Sequence, residues 1–295
     1  MKEIIRLVLL FLCVVFTTIP ADAALYGVAR SAAPVLNTPK FRNILGGLDG
    51  KMLKTDNCGQ LRELEFIAIP GTVFTIQGKI TDGPNTVFEV ETDDYTRPPG
   101  VTLYLESRFM ELRQKKPQQR LRQLPSRAAI QARLKAAIGS PYIWGGNMQD
   151  GVDTLYEPLD GGTVPESGKK RPILAGLDCS GLLYQATGGS TPRNTSQLVS
   201  YGRAVKISGR LAGELSGLLE PLDLIVWDGH VLIVLDRETI IESSLRCGKK
   251  GNGGVTTTSL EKRLAEVMRT RRPADSWPTT GKQRDVFVVR RWFSE

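Results

Sequence analysis

Period-two alternation marks the first third of the chain. Over residues 86–92, Val87, Glu89 and Glu91 fall on one side and Phe88, Val90 and Thr92 on the other. Val101, Leu103 and Leu105 alternate in the same way with Thr102, Tyr104 and Glu106. Asp82-Gly83-Pro84-Asn85 and Pro98-Pro99-Gly100 separate the runs as turns. Several short strands within residues 24–112 predict a small β-barrel. The pattern changes at Ser126, which reads as the N-cap of a helix over 128–138. There Ile130, Leu134 and Ile138 recur at helical spacing, and Gly139 ends the run. A second helix is expected from Asp178 or Cys179 to Gly188-Gly189, carrying Leu182, Leu183 and Ala186 inward, and a third from Asn194 to about Gly202. Residues 222–227 and 230–235 are two apolar strands joined by Asp228-Gly229, a pair suited to a hairpin turn. Further expected elements are a strand over 239–242, a helix over 259–268 and a closing strand over 286–292.

Between these segments lie three stretches without periodicity. Residues 1–23 read as an export signal. Lys2 and Arg6 form a basic start, Leu7 opens an apolar run to Phe16 too short to cross a bilayer comfortably, and Ala21-Asp22-Ala23 is a small-x-small cleavage site. Lipid attachment at Cys13 would need a small residue before it, where Leu12 stands. No spanning segment follows, so an exported protein of the periplasm or cell envelope is expected. Residues 113–125 hold Arg113, Lys115, Lys116, Arg120 and Arg122 with Pro117 and Pro125 and no acid, and read as a solvated basic linker. Residues 147–177, rich in Gly, Pro and acids, read as a long surface loop.

The formal net charge is +8. Such a surface favours wall polymers, anionic lipid heads or nucleic acid as partners. Export favours the first two, and the basic segment lacks the interleaved aromatics of a nucleic-acid binder. Removal of the signal leaves Cys58, Cys179 and Cys247, an odd number. At least one thiol is then unpaired or pairs between molecules. The simplest arrangement bridges Cys58 to Cys247 and leaves Cys179 free.

That arrangement suits a nucleophile. Cys179 stands at a predicted helix start, where unpaired N–H groups and the helix dipole favour a thiolate and its own N–H can serve an oxyanion. His230 is the only histidine in the chain. It opens a strand just past a tight turn, a rigid mount for a general base. A third group must fix the imidazole. Glu242, at the end of the next predicted strand, can accept the Nδ1–H bond, with Asp236 and Asp228 as competitors that look like turn residues. No ligand cluster of recognisable metal spacing exists, so neither metal nor cofactor is expected.

Pro141-Tyr142-Ile143-Trp144-Gly145-Gly146, Leu177-Asp178-Cys179-Ser180-Gly181-Leu182, Pro192-Arg193-Asn194, Leu222-Asp223-Leu224 and Gly229-His230-Val231 together resemble the NlpC-type cell-wall cysteine peptidases, in that family's order. The resemblance covers about residues 126–292. It implies a papain-like α+β domain over 126–295, with Cys179 as nucleophile and His230 as base. It further implies cleavage of the γ-D-glutamyl–diamino acid bond in peptidoglycan stem peptides or released muropeptides. In members whose substrates begin with a free L-alanine amine, a tyrosine and an acidic-polar pair bind that ammonium, and Tyr142, Asp178 and Ser180 match them. More loosely, Ala33-Pro34-Val35-Leu36 and Thr92-Asp93-Asp94-Tyr95 resemble strands of the bacterial SH3-like modules that precede such domains. Two features depart from the family. Glu242 stands where His, Asn or Gln is usual, and the loop between Gly146 and Asp178 is long. An amidase or acyltransferase using the same pair, or an inactive wall-binding protein, are the competing functions.

Overall fold

The computed structural model describes residues 25–46, 53–152, 173–249, 252–278, 280 and 285–294. The expected export signal, and residues 153–172 of the expected surface loop, lie outside them. The chain is a mixed helix-and-sheet protein whose described residues form two large sheets, mainly antiparallel, and one two-stranded sheet.

The first sheet comprises β1 (Tyr26–Ala29), β2 (Ala33–Leu36), β3 (Leu64–Ala68), β4 (Val73–Asp82), β5 (Asn85–Glu91), β6 (Leu103–Glu106) and β7 (Met110–Arg113). Their order is β3-β2-β6-β5-β4-β1-β7. Inward-facing Phe66, Phe74, Val87, Leu103 and Leu105 are buried together with Phe41 and Phe109. The expected barrel is not closed among the described residues, because β3 and β7 remain the two edges. Instead of meeting β7, β3 is engaged by Asn147 from the second half of the chain. Ile67 N–H donates to Asn147 Oδ1 at 2.9 Å, and Asn147 Nδ2 donates back to the Ile67 carbonyl at 2.8 Å. A fully buried side-chain amide thus satisfies an edge that would otherwise expose bare backbone.

The second half begins with α1 (Arg127–Ala136). Ser126 caps it through Ala129 N–H at 3.3 Å. Ile130 and Leu134 are buried, but the helix stops before Ile138, which is exposed. Short strands β8 (Asn147–Met148) and β9 (Gly176–Leu177) pair at the two ends of the expected loop. Next come α2 (Cys179–Ala186), α3 (Thr195–Leu198), β10 (Arg203–Ala204) and α4 (Ala212–Leu218). After them follow β11 (Leu224–Trp227), β12 (His230–Val234), β13 (Thr239–Leu245), β14 (Gly253–Ser259), α5 (Leu260–Met268), β15 (Arg272–Pro273) and β16 (Val286–Arg291). The second sheet has the order β10-β16-β11-β12-β13-β14, with β15 parallel to β16. Its central strands are covered on both faces, which is why they read as continuous apolar runs rather than alternating ones. Val226, Val231, Ile233 and Ile241 pack against α1 and α2, while Ile225, Leu232, Val234 and Ile240 pack against α4 and α5.

The basic segment between the halves is exposed over most of its length, but two of its cations are engaged. Arg120 donates to Asp94 Oδ2 at 2.8 Å and to the Gly189 carbonyl at 2.9 Å, and Arg122 also reaches Asp94. The Asp94 side chain is wholly buried, so its charge needs those cations. A covalent tie runs alongside, since Cys58 and Cys247 form a disulfide with Cα atoms 5.1 Å apart across a sequence separation of 189. A cross-link closing so long a loop restricts the unfolded chain strongly. The double variant Cys58→Ser/Cys247→Ser is expected to lose about 2–5 kcal/mol in chemical denaturation.

Candidate active site

Cys179 is the first residue of α2, with Asp178 as N-cap: Asp178 Oδ1 accepts from Gly181 N–H at 2.6 Å. A Cβ at Gly181 would lie 2.0 Å from the Gly146 carbonyl, so glycine is needed for the helix start to press against the Gly145-Gly146 turn. The thiol is free and buried, with Sγ 3.8 Å from the Gly229 carbonyl. Cys179 N–H belongs to the first helical turn, whose amides have no intrahelical acceptor.

His230 opens β12 directly after the two-residue turn, opposite Trp227 on β11. Gly229 adopts φ +87°, and its N–H donates to Thr195 Oγ1 at 3.2 Å, tying the turn to α3. The imidazole is hydrogen-bonded to Glu242 and lies near enough to Cys179 for the two to interact electrostatically. Its Nε2, not the expected Nδ1, lies 2.6 Å from Glu242 Oε2, which leaves Nδ1 as the nitrogen not engaged by the carboxylate. The ring is also flanked by Trp227, with centroids 5.1 Å apart. Asp228 is exposed, and Asp236 accepts from Glu238 N–H at 3.1 Å, so neither competes with Glu242 for the imidazole.

Glu242 lies on β13, 1% exposed. Its neighbour Ser243 donates to the Leu177 carbonyl at 2.6 Å, locking β13 to the strand that leads into Cys179. Sequence reasoning missed the second partner of this carboxylate. Arg263 of α5 donates from Nε to Oε1 at 2.6 Å and from Nη2 to Oε2 at 3.2 Å. Burial would raise the Glu242 carboxyl, but the bonds and charges of His230 and Arg263 outweigh it and bring it down to about 2. Burial likewise opposes the imidazolium of His230, but its bonds to Cys179 and Glu242 prevail and push it up to about 9.

These opposed shifts define a pH window. The raised His230 contributes stability that is complete below its ordinary value of 6.5 and lost as pH rises through about 9. The depressed Glu242 contributes stability that is complete above its ordinary 4.5 and lost as pH falls towards about 2. Denaturation of wild type and Glu242→Gln across pH should therefore show their largest stability difference between 4.5 and 6.5.

The other expected residues gather beside the thiol. Tyr142 is buried near Asp178 and Cys179, and burial followed by these two charges pushes its hydroxyl well above the usual phenol range. Asp178 and Ser180 have a partner that sequence reasoning quoted in a motif without assigning it a role. Arg193, 2% exposed, donates from Nη1 to Asp178 Oδ1 at 3.0 Å and to Ser180 Oγ at 2.9 Å, and from Nη2 to Asp178 Oδ2 at 2.6 Å. It also reaches the Gly146 carbonyl and Asn147 Oδ1, each at 3.3 Å. Its desolvation opposes the charge, but Asp178 outweighs that and raises Arg193 above the ordinary guanidinium value. The acidic-polar pair is therefore charge-balanced from within. Among the described residues no three His, Cys, Asp or Glu side chains come together to hold a metal ion, and no helix is long and apolar enough to cross a membrane.

No protein-family model and no curated protein matches the chain. Among solved structures it is similar to an NlpC/P60 family protein from Bacillus cereus, at 15% identity and TM-score 0.32, over 92% of this chain and 64% of that one. The chain thus spans less than two thirds of that protein's length. It is also similar to RipD from Mycobacterium tuberculosis, described as a non-catalytic NlpC/p60 domain protein adapted to peptidoglycan binding, at 18% identity and TM-score 0.29, over 56% of this chain and 95% of that one. A third is NlpC1 from Trichomonas vaginalis, at 14% identity and TM-score 0.32, over 92% of this chain and 70% of that one.

Proposed function

We propose that the chain is a peptidoglycan hydrolase of the cell envelope, a cysteine peptidase cleaving the γ-D-glutamyl–diamino acid bond of stem peptides. The observation that supports this reading is the 2.6 Å bond between His230 and Glu242, on β12 and β13, together with the free, buried Cys179 at the start of α2. Residues 126–295 form the papain-like peptidase domain on this reading. Residues 24–112 form an SH3-like module, joined to it by residues 113–125 and preceded by the export signal.

In the mechanism, His230 is held as imidazolium beside the thiolate of Cys179. The sulfur attacks the γ-carbonyl carbon, and the oxyanion is met by Cys179 N–H at the start of α2. His230 Nδ1 then gives its proton to the departing amine of the diamino acid, leaving a γ-glutamyl thioester on Sγ. The neutral imidazole takes a proton from water as that water attacks the thioester carbonyl, the C–S bond breaks, and the glutamyl γ-carboxyl product leaves with the imidazolium–thiolate pair restored. Glu242 holds Nε2 throughout and stabilises the positive charge each time it returns. No step calls for a metal or cofactor.

The free L-alanine amine of the substrate is read by Tyr142, Asp178 and Ser180. Asp178 Oδ1 already accepts from Gly181, Ser180 and Arg193, whereas Oδ2 accepts from Arg193 alone. Oδ2 therefore retains room for an ammonium hydrogen. Because Arg193 balances the carboxylate, the amine is recognised mainly through hydrogen bonds rather than an unopposed charge.

The test is mass spectrometry after incubation with L-Ala-γ-D-Glu-diaminopimelate, free and carrying its muramyl sugar, alongside Cys179→Ala. Release of L-Ala-γ-D-Glu from the free peptide only supports recognition of the amine. Cleavage of the sugar-bearing form removes that role from Asp178 and points to wall remodelling. Cleavage of neither form favours a different amide or a wall-binding protein.

A further inference from the structure

We infer that Arg263 is a positioning residue, one that holds the Glu242 carboxylate ionised and in the orientation that presents Oε2 to His230. The inference deepens the peptidase reading, and its kinetic arm rests on that reading.

Arg263 occupies α5, whose Leu260, Leu264 and Val267 are buried against the sheet and fix the helix beside β13. From that platform the guanidinium meets both carboxylate oxygens. Nε donates to Oε1 at 2.6 Å, and Nη2 donates at 3.2 Å to Oε2, the oxygen that also takes His230 Nε2 at 2.6 Å. A planar fork on two oxygens fixes the carboxylate plane, which a single contact would leave free to turn. With the carboxylate turned, Nε2 would lose its acceptor and Nδ1 its aim at the thiol.

The groups form a row: the imidazole of His230, beside Cys179, then the carboxylate of Glu242, then the guanidinium of Arg263. Around the row stand Glu266 of α5, which accepts from Arg263 Nη1 at 3.2 Å, and Arg271, whose guanidinium lies 4.7 Å from the ring centre of Trp227. Thr256, opposite Glu242 on β14, carries no charge. A carboxylate 1% exposed that faced only the imidazole would take up a proton more readily, since burial penalises its anion. Arg263 removes that penalty. The usual third residues of the resembled family carry no negative charge and need no such cation, so the pairing belongs to the Glu242 departure.

The test uses the full chain with Arg263→Gln and Arg263→Lys. Alkylation of Cys179 by iodoacetamide is followed against pH, which requires no substrate, and kcat and KM are measured on the stem peptide. In Arg263→Gln, Glu242 protonates at higher pH and weakens the imidazolium–thiolate pair. The acid-side rise of the alkylation rate should therefore move up by about one pH unit or more. The kcat should fall about tenfold or more with KM changed by less than about threefold. Arg263→Lys keeps the charge without the fork and should show a smaller shift of the same sign. A wild-type alkylation profile in folded Arg263→Gln overturns the inference. If that variant does not fold, a wild-type profile in Arg263→Lys overturns it instead. Absence of peptide cleavage by the wild type defeats the peptidase reading while leaving the alkylation comparison decisive for Arg263.

Discussion

His230→Ala is expected to lower turnover by at least about a thousandfold while leaving the fold intact. The size of the effect follows from the composition, because His230 is the only histidine and no second imidazole can take its place. The fold survives because Glu242, the buried group left behind, keeps both of its contacts to Arg263. Cys179→Ala should be equally severe, since it removes the atom that forms the thioester. Glu242→Ala should cost less, about tenfold to a thousandfold, because it loses orientation rather than the proton carrier. Kinetics with the stem peptide, paired with circular dichroism, separates these cases. A His230→Ala protein working at wild-type rate would remove the histidine from the mechanism.

Arg193→Met is expected to destabilise the protein by about 3–5 kcal/mol, the cost of leaving a buried partner charge alone. Arg193 and Asp178 are 2% and 9% exposed, and the same guanidinium also serves Ser180, the Gly146 carbonyl and Asn147. Asn147 in turn bonds β3 on both sides of Ile67. Removing Arg193 therefore loosens the start of the nucleophile helix and the seam with the first sheet together. Denaturant midpoints should show the loss, and Arg193→Met/Asp178→Asn should recover a good part of it by removing the stranded carboxylate. A destabilisation below about 1 kcal/mol in Arg193→Met would mean that the pair does not hold the site together.

Where local pattern decides structure, the sequence was legible. Ser126 and the Ile130–Leu134 spacing gave α1, Asp178 and the glycines at 188 and 189 bounded α2, and Asp228-Gly229 placed the hairpin that presents His230. The pairing of His230 with Glu242 could be anticipated because His230 opens one strand of a well-signalled hairpin and Glu242 lies on the next strand, although β13 runs on to Leu245 and places Glu242 mid-strand. What stayed hidden depended on tertiary pairing. Arg263 is one arginine on a helical face, and nothing in its neighbours signals that α5 lies beside Glu242. Arg193 stood in a quoted motif, but its service to Asp178 appears only once the turn at Gly146 meets the start of α2. Two cations of the exposed linker, Arg120 and Arg122, were hidden for a similar reason: their pairing appears only when the buried Asp94 is in view. The open first sheet belongs in the same class. Alternation predicted two of its strands, β5 and β6, but the buried Asn147 side chain at the β3 edge was beyond it.

The most direct test of the central claim is intact-mass analysis of rapidly quenched wild-type protein during turnover of L-Ala-γ-D-Glu-diaminopimelate. The account predicts a transient mass increase equal to the L-Ala-γ-D-Glu acyl group, mapping to Cys179 and absent from Cys179→Ala. Turnover that persists undiminished in Cys179→Ala, with no adduct on the wild-type thiol, would contradict it.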